Sequence, residues 1–165
     1  MEAFVQEFEG SVKKFKKAIE KEKKKLAEIE KELEPIKNRL QEIETELLSI
    51  QREIKEHEAR IKEIKNHLKR IQMKTLEAET DRQIEMLERD RERLLRELNE
   101  RKARIAELKE KYHDLVIEEN DLTKKEFELD EKKKLHEERI QKYLRKIEEV
   151  MRQIQREIDI YNALS

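Results

Sequence analysis

From Val5 onward, apolar residues recur alternately three and four positions apart through ten heptads. With Val5 at position a, the a series is Val5, Val12, Ile19, Leu26, Leu33, Leu40, Leu47, Ile54, Ile61 and Leu68. The d series is Phe8, Phe15, Glu22, Ile29, Ile36, Ile43, Ile50, His57, Ile64 and Ile71. Eighteen of these twenty positions are apolar in a chain that is 35% apolar overall. A helix keeps such a stripe on one face only by underwinding slightly around a partner, so the pattern predicts a left-handed coiled coil.

The second half carries its own seam. With Ile84 at a, the a series is Ile84, Arg91, Leu98, Ile105, Tyr112, Glu119, Glu126, Lys133, Ile140 and Ile147. The d series is Leu87, Leu94, Arg101, Leu108, Leu115, Leu122, Leu129, His136, Tyr143 and Val150. Fourteen of these twenty are apolar. Toward the end a competing register, Ile140, Leu144, Ile147, Met151, Ile154, Ile158 and Tyr161, fits the apolar residues better and predicts a stutter between Leu129 and Leu144.

The two seams are out of phase by two residues, a rotation of about 200° at about 100° per residue, which one stutter does not absorb. Between them, Gln72 to Gln83 holds Thr75, Ala78, Thr80 and Asp81 in place of a seam. Thr80-Asp81-Arg82-Gln83 matches a capping box, in which the Thr hydroxyl and the Gln side chain satisfy the first free amides of a new helix. The expected fold is therefore all-α: an antiparallel two-helix hairpin, with helix 1 at about 4–72, a turn at about 73–82 and helix 2 at about 83–163. No Gly stands in that turn. Residues 1–165 read as a single elongated coiled-coil unit, about 100 Å long as a hairpin at about 1.5 Å per residue.

The alternative is one continuous helix in a parallel homodimer. Leu at a with Ile at d, as from Leu26 to Ile50, departs from the parallel-dimer preference of β-branched a and Leu d, and favours an antiparallel pair or a higher oligomer. One antiparallel pairing, with partner numbers summing to 155, sets Ile71 against Ile84, Leu47 against Leu108 and Glu22 against Lys133. It leaves Arg91, Arg101, Glu119 and Glu126 facing aliphatic residues, to be turned outward. Pro35, at a solvent-facing c position, predicts a kink or local opening. Gly10-Ser11 predicts the end of a short first helix, with Phe4, Val5 and Phe8 as a terminal apolar plug.

Composition narrows the function. Charged residues make up 49% of the chain, which has one Gly, one Pro and no Cys. That is too little apolar surface for a compact core, yet too little Pro and Gly for disorder. The net charge of −1 gives no overall pull toward nucleic acid or lipid. No apolar run is long enough for a transmembrane helix or a signal peptide, and the absence of Cys fits a reducing, intracellular setting: cytoplasm, cytoskeleton or nucleus.

Chemistry is hard to place on such a chain. Glu110 and His113 have the Glu-x-x-His spacing of di-iron bundles, but no second copy exists. His57, His67 and His136 are isolated, and His57 and His136 lie in the seams, where protonation loosens the coil at acid pH. Ser11, Ser49 and Ser165 lack a strand–turn–helix setting, and one Gly builds no phosphate loop. The sequence thus predicts no catalytic residue, no metal site, no cofactor and no small-molecule ligand. One charge run stands out: Lys13, Lys14, Lys16, Lys17, Lys21, Lys23, Lys24 and Lys25 against Glu20 and Glu22, with Lys132-Lys133-Lys134 alongside in the hairpin. It reads either as a solvated face or as a basic collar able to meet phosphates.

The Glu/Lys/Ile/Leu texture of the whole chain resembles the coiled-coil arms of SMC and Rad50-type chromosome proteins, which are antiparallel intramolecular pairs. That resemblance implies a lever or spacer between an ATPase head and a hinge, although head motifs and zinc-hook cysteines are absent. Glu157-Ile158-Asp159-Ile160-Tyr161-Asn162-Ala163-Leu164 resembles the helix-termination segment of intermediate-filament rods, departing at Asn162 and Ser165. The expected function is a structural coiled-coil spacer or scaffold, of cytoskeletal type, that sets a distance and meets protein partners, or a second copy, through helix packing. The alternative is a chromosome-associated arm whose basic collar contacts nucleic acid.

Overall fold

The computed structural model describes residues 2–165 and contains two helices, α1 (Glu2–Glu77) and α2 (Asp81–Leu164). They pack against each other as a helical hairpin, so the parallel homodimer of continuous helices does not form. The turn is only residues 78–80.

Local chemistry explains how so short a turn forms without glycine. Gln83 N–H donates to Thr80 Oγ1 (3.3 Å), while Gln83 Oε1 accepts from the N–H groups of Glu79 (3.0 Å) and Thr80 (3.4 Å). This reciprocal box satisfies the first amides of α2. Ile84 N–H then donates to the Thr80 carbonyl at 3.2 Å, closing the first helical turn, and Asp81 sits where the helix dipole favours an anion. On the other side, Thr75 Oγ1 donates to the Ile71 carbonyl (2.8 Å) and Ala78 N–H to Thr75 O (3.4 Å). No residue among those described has a positive φ, so α1 ends without the left-handed residue that usually calls for Gly.

One expected interruption is absent. α1 runs through Gly10 and Ser11, whose hydroxyl donates to the Glu7 carbonyl at 3.2 Å instead of capping a new helix. The helix also includes Pro35, which is exposed and has no N–H to give the Lys31 carbonyl.

The chain divides into two compact units, Leu40–Asp121 (the turn unit) and Met1–Arg39 with Leu122–Ser165 (the terminal unit). In the turn unit, Ile64, Ile71, Leu94 and Leu98 are buried together, and Ile61, Leu68, Leu87 and Leu95 pack against them. Ile43, Ile50, Leu108 and Leu115 are also buried there. In the terminal unit the buried apolar residues are Ile19, Ile29 and Leu33, all on α1; the α2 seam facing them is half-buried throughout.

The pairing register differs from the sum of 155. In the terminal unit Glu22 meets His136 and Phe15 meets Tyr143; in the turn unit His57 meets Arg101. Each pair sums to 158, twice the number of the turn's central residue, Glu79. The sum of 155 centres the turn between Glu77 and Ala78, at the very end of α1. With 158, d positions stand level with d positions, and Glu22 is opposite His136 while Lys133 reaches Glu30 (3.7 Å). The competing register near the end of α2 is also overturned. Ile140, Tyr143, Ile147, Val150 and Ile154 are half-buried, whereas Leu144 and Met151 are exposed, so the seam begun at Ile84 continues to Ile154 without a stutter; beyond it the competing register's Ile158 is half-buried and Glu157 is exposed.

Candidate functional site

The seam residues Leu26, Ile29, Leu33, Ile36, Leu40, Ile43, Leu47 and Ile50 of α1 are all buried or half-buried, as are Ile61, Ile64, Leu68 and Ile71. On α2 the same holds for Ile84, Leu87, Leu94, Leu98, Ile105, Leu108, Leu115, Leu122 and Leu129. The two polar residues of the first seam, Glu22 and His57, each stand opposite a polar residue of the second. Their layers differ in chemistry.

In the turn unit, Arg60 grips the Glu97 carboxylate with two hydrogen bonds, Nε to Oε2 at 2.8 Å and Nη2 to Oε1 at 3.1 Å. Arg101 Nε also donates to Glu97 Oε2 (3.1 Å), and its Nη1 donates to His57 Nδ1 (3.0 Å). That geometry places the neutral ring's proton on Nε2, 3.6 Å from Glu53 Oε1. Glu53 accepts from Arg104 Nε at 3.2 Å, and Arg104 Nη1 from the same guanidinium donates to Glu107 at 3.3 Å. The Arg60 bonds, then those from Arg101, hold the Glu97 carboxyl down at about 2, and Arg104 holds Glu53 below the usual carboxylate range. Arg101 is therefore not turned out from an aliphatic neighbour: it completes a polar layer. Arg91 alone of the second-seam residues is exposed.

In the terminal unit, Glu22 is the one buried charged residue among those described. Burial pushes its pKa up; the His136 hydrogen bond, with the charges of His136, Arg139 and Lys25, outweighs this and leaves it below the ordinary value. Arg139 Nη1 lies 3.7 Å from Glu22 Oε1. Next to this layer, Lys146 Nζ lies 5.6 Å from the Phe15 ring centroid and 5.9 Å from that of Tyr143.

All eight lysines from Lys13 to Lys25 are exposed. The register sets the α2 stretch 133–146 beside them, which holds six cations (Lys133, Lys134, Arg139, Lys142, Arg145 and Lys146) against Glu137 and Glu138. This second basic strand lies beyond the Lys132–Lys134 run picked out from sequence. It became visible only with the correct register, although the pairing of Glu22 and His57 with polar partners was a readable signal for that register. At the turn, Met73, Leu76 and Met86 are exposed, which no seam pattern flagged.

Among the described residues no group of acids and histidines is placed to hold a metal ion, and no helix is long and apolar enough to cross a membrane. His113 is exposed on its helix. The chain matches no protein-family model, no curated protein sequence and no solved structure.

Proposed function

We propose that the chain is a structural coiled-coil spacer or scaffold, which sets a distance, meets protein partners by helix packing and catalyses no reaction. The observation that carries this reading is the matched seam. Apolar layers face apolar layers, and each polar residue of the first seam faces a polar one of the second, so a single register is favoured within each unit. Among the described residues no buried side-chain polar atom lacks a partner, so the hairpin satisfies its interior without a ligand. A spacer needs that self-sufficiency.

Limited trypsin digestion with mass detection tests the reading, because the chain offers 40 Lys and Arg sites. A spacer yields long surviving fragments from both units, and early cuts confined to the turn and chain ends. Rapid digestion along the whole length overturns it. A second reading, an arm of the SMC type, shares this hairpin and adds a nucleic-acid contact; the exposed lysines favour pursuing it. The absence of cysteine supports an intracellular setting for either role.

A further inference from the structure

Lys13, Lys16, Lys17, Lys21 and Lys24 line one face of α1, with Glu20 the one acid among them. No ion pair among the described residues holds any of these five lysines. Exposed lysines of the turn unit such as Lys55, Lys62 and Lys69 likewise stand outside any such ion pair, so what sets this face apart is the density of like charge along it. The stretch 13–25 has eight lysines and two glutamates, net +6, and the stretch 133–146 beside it has six cations and two glutamates, net +4. A chain of net charge −1 thus gathers a net +10 in one part of one unit, although Lys133, Lys134 and Arg139 rest against Glu30, Glu131 and Glu22. Like charges at helical spacing repel one another, so the five lysines of this face favour an anion over them.

We propose that this face binds the phosphate backbone of double-stranded DNA without reading its sequence. From Lys13 to Lys24 the strip extends about 16 Å at about 1.5 Å per residue, and B-DNA carries a phosphate every ~1.7 Å of axis, so several phosphates lie within reach of the five ammonium groups. Lysine ammonium is a flexible point charge suited to phosphate oxygens. The strip presents no Arg, Asn or Gln for base edges. Phe15, the one aromatic residue in the stretch, is turned onto Tyr143, which removes the stacking platform that single strands need. Val12, Phe15 and Ile19 are turned toward the seam, so the α1 strip itself offers no apolar side chain to a bilayer; the exposed Leu135 and Leu144 stand on α2 instead. Isolated exposed Lys–carboxylate pairs are weak, which disfavours the acidic face of a second copy as occupant.

The inference does not rest on the spacer reading and is tested separately. Fluorescence anisotropy of a labelled duplex of about 30 bp, titrated with the full chain between about 25 and 200 mM KCl, gives affinity and its salt slope. Five phosphate contacts predict that log Kd changes by about 4 to 5 per decade of salt. The pair Lys16→Glu, Lys21→Glu should weaken binding at least about tenfold and cut that slope by about two. Lys16→Gln, Lys21→Gln should do the same more mildly, and Lys62→Glu, Lys69→Glu in the turn unit should leave binding unchanged; circular dichroism checks that each variant stays helical. Four results overturn the proposal: no binding at low salt, equal loss in the turn-unit control, tighter binding to phosphatidylserine vesicles, or tighter binding to an RNA duplex of the same length. Salt-sensitive self-association without DNA, abolished by the Lys16/Lys21 pair, overturns it in favour of a second copy.

Discussion

The turn unit and the terminal unit are built on the same heptads, yet they use them differently. In the turn unit both helices contribute buried Leu or Ile, and the polar layer around His57 is half-buried and supported by two guanidinium groups. In the terminal unit only α1 contributes fully buried apolar residues, because α2 there puts Glu126, Lys133 and His136 in seam positions that the turn unit fills mainly with Leu and Ile. The contrast separates two properties that a coiled coil needs. Burial depth supplies stability, whereas a few polar residues facing one another select the register. The terminal unit gives up depth and keeps the selector, and its outer faces are free to carry charge.

The largest test of this contrast is truncation of a core side chain. Ile64 is 0% exposed, so Ile64→Ala should cost about 3 to 4 kcal/mol in urea unfolding, whereas Ile147→Ala, half-buried in the terminal unit, should cost only about 1 kcal/mol. Equal losses would mean that the two units share one depth of packing. Next comes the buried layer. His136→Leu leaves Glu22 with Arg139 at 3.7 Å and the charge of Lys25 and should destabilise by about 2 kcal/mol, while the double change Glu22→Leu, His136→Leu should return to within about 1 kcal/mol of the native chain. A double variant as unstable as the single would show that Glu22 is held by something other than this pairing.

A smaller effect is expected at the turn. Thr80→Ala removes the hydroxyl that accepts the Gln83 amide and should cost about 1 kcal/mol, with amide exchange rising first at residues 81–84. The smallest effect concerns pH. Glu97 titrates near 2 in the folded chain against an ordinary 4.5, so its contribution is fully present above that ordinary value and is lost as pH falls toward 2; Glu53 and Glu22 are lowered in the same direction. Urea midpoints should therefore fall as the solution is acidified through this window, and Glu97→Gln should flatten part of the decline. A midpoint that rises on acidification would contradict these ion pairs. His57 and His136 sharpen the comparison further, since one accepts from a guanidinium and the other faces a carboxylate.

Much of the hairpin was legible in the residues themselves. Eighteen apolar positions in twenty demand a partner helix, and the slip of two residues between the seams, with Thr80 to Gln83 as a box, requires a turn. These features are local or periodic, and each depends on residues within a few turns of one another. The register did not follow from them. Any antiparallel pair of heptads gives some constant sum, so aliphatic layers match almost as well at 155 as at 158. Only the length of the turn and the meeting of Glu22 with His136 and of His57 with Arg101 separate the two. The basic face is decided at the same level. The sequence by itself supplied eight lysines on one helix, but whether the second helix neutralises or extends them depends on which residues lie alongside, and that is set by the turn and by side chains 44 and 114 positions apart.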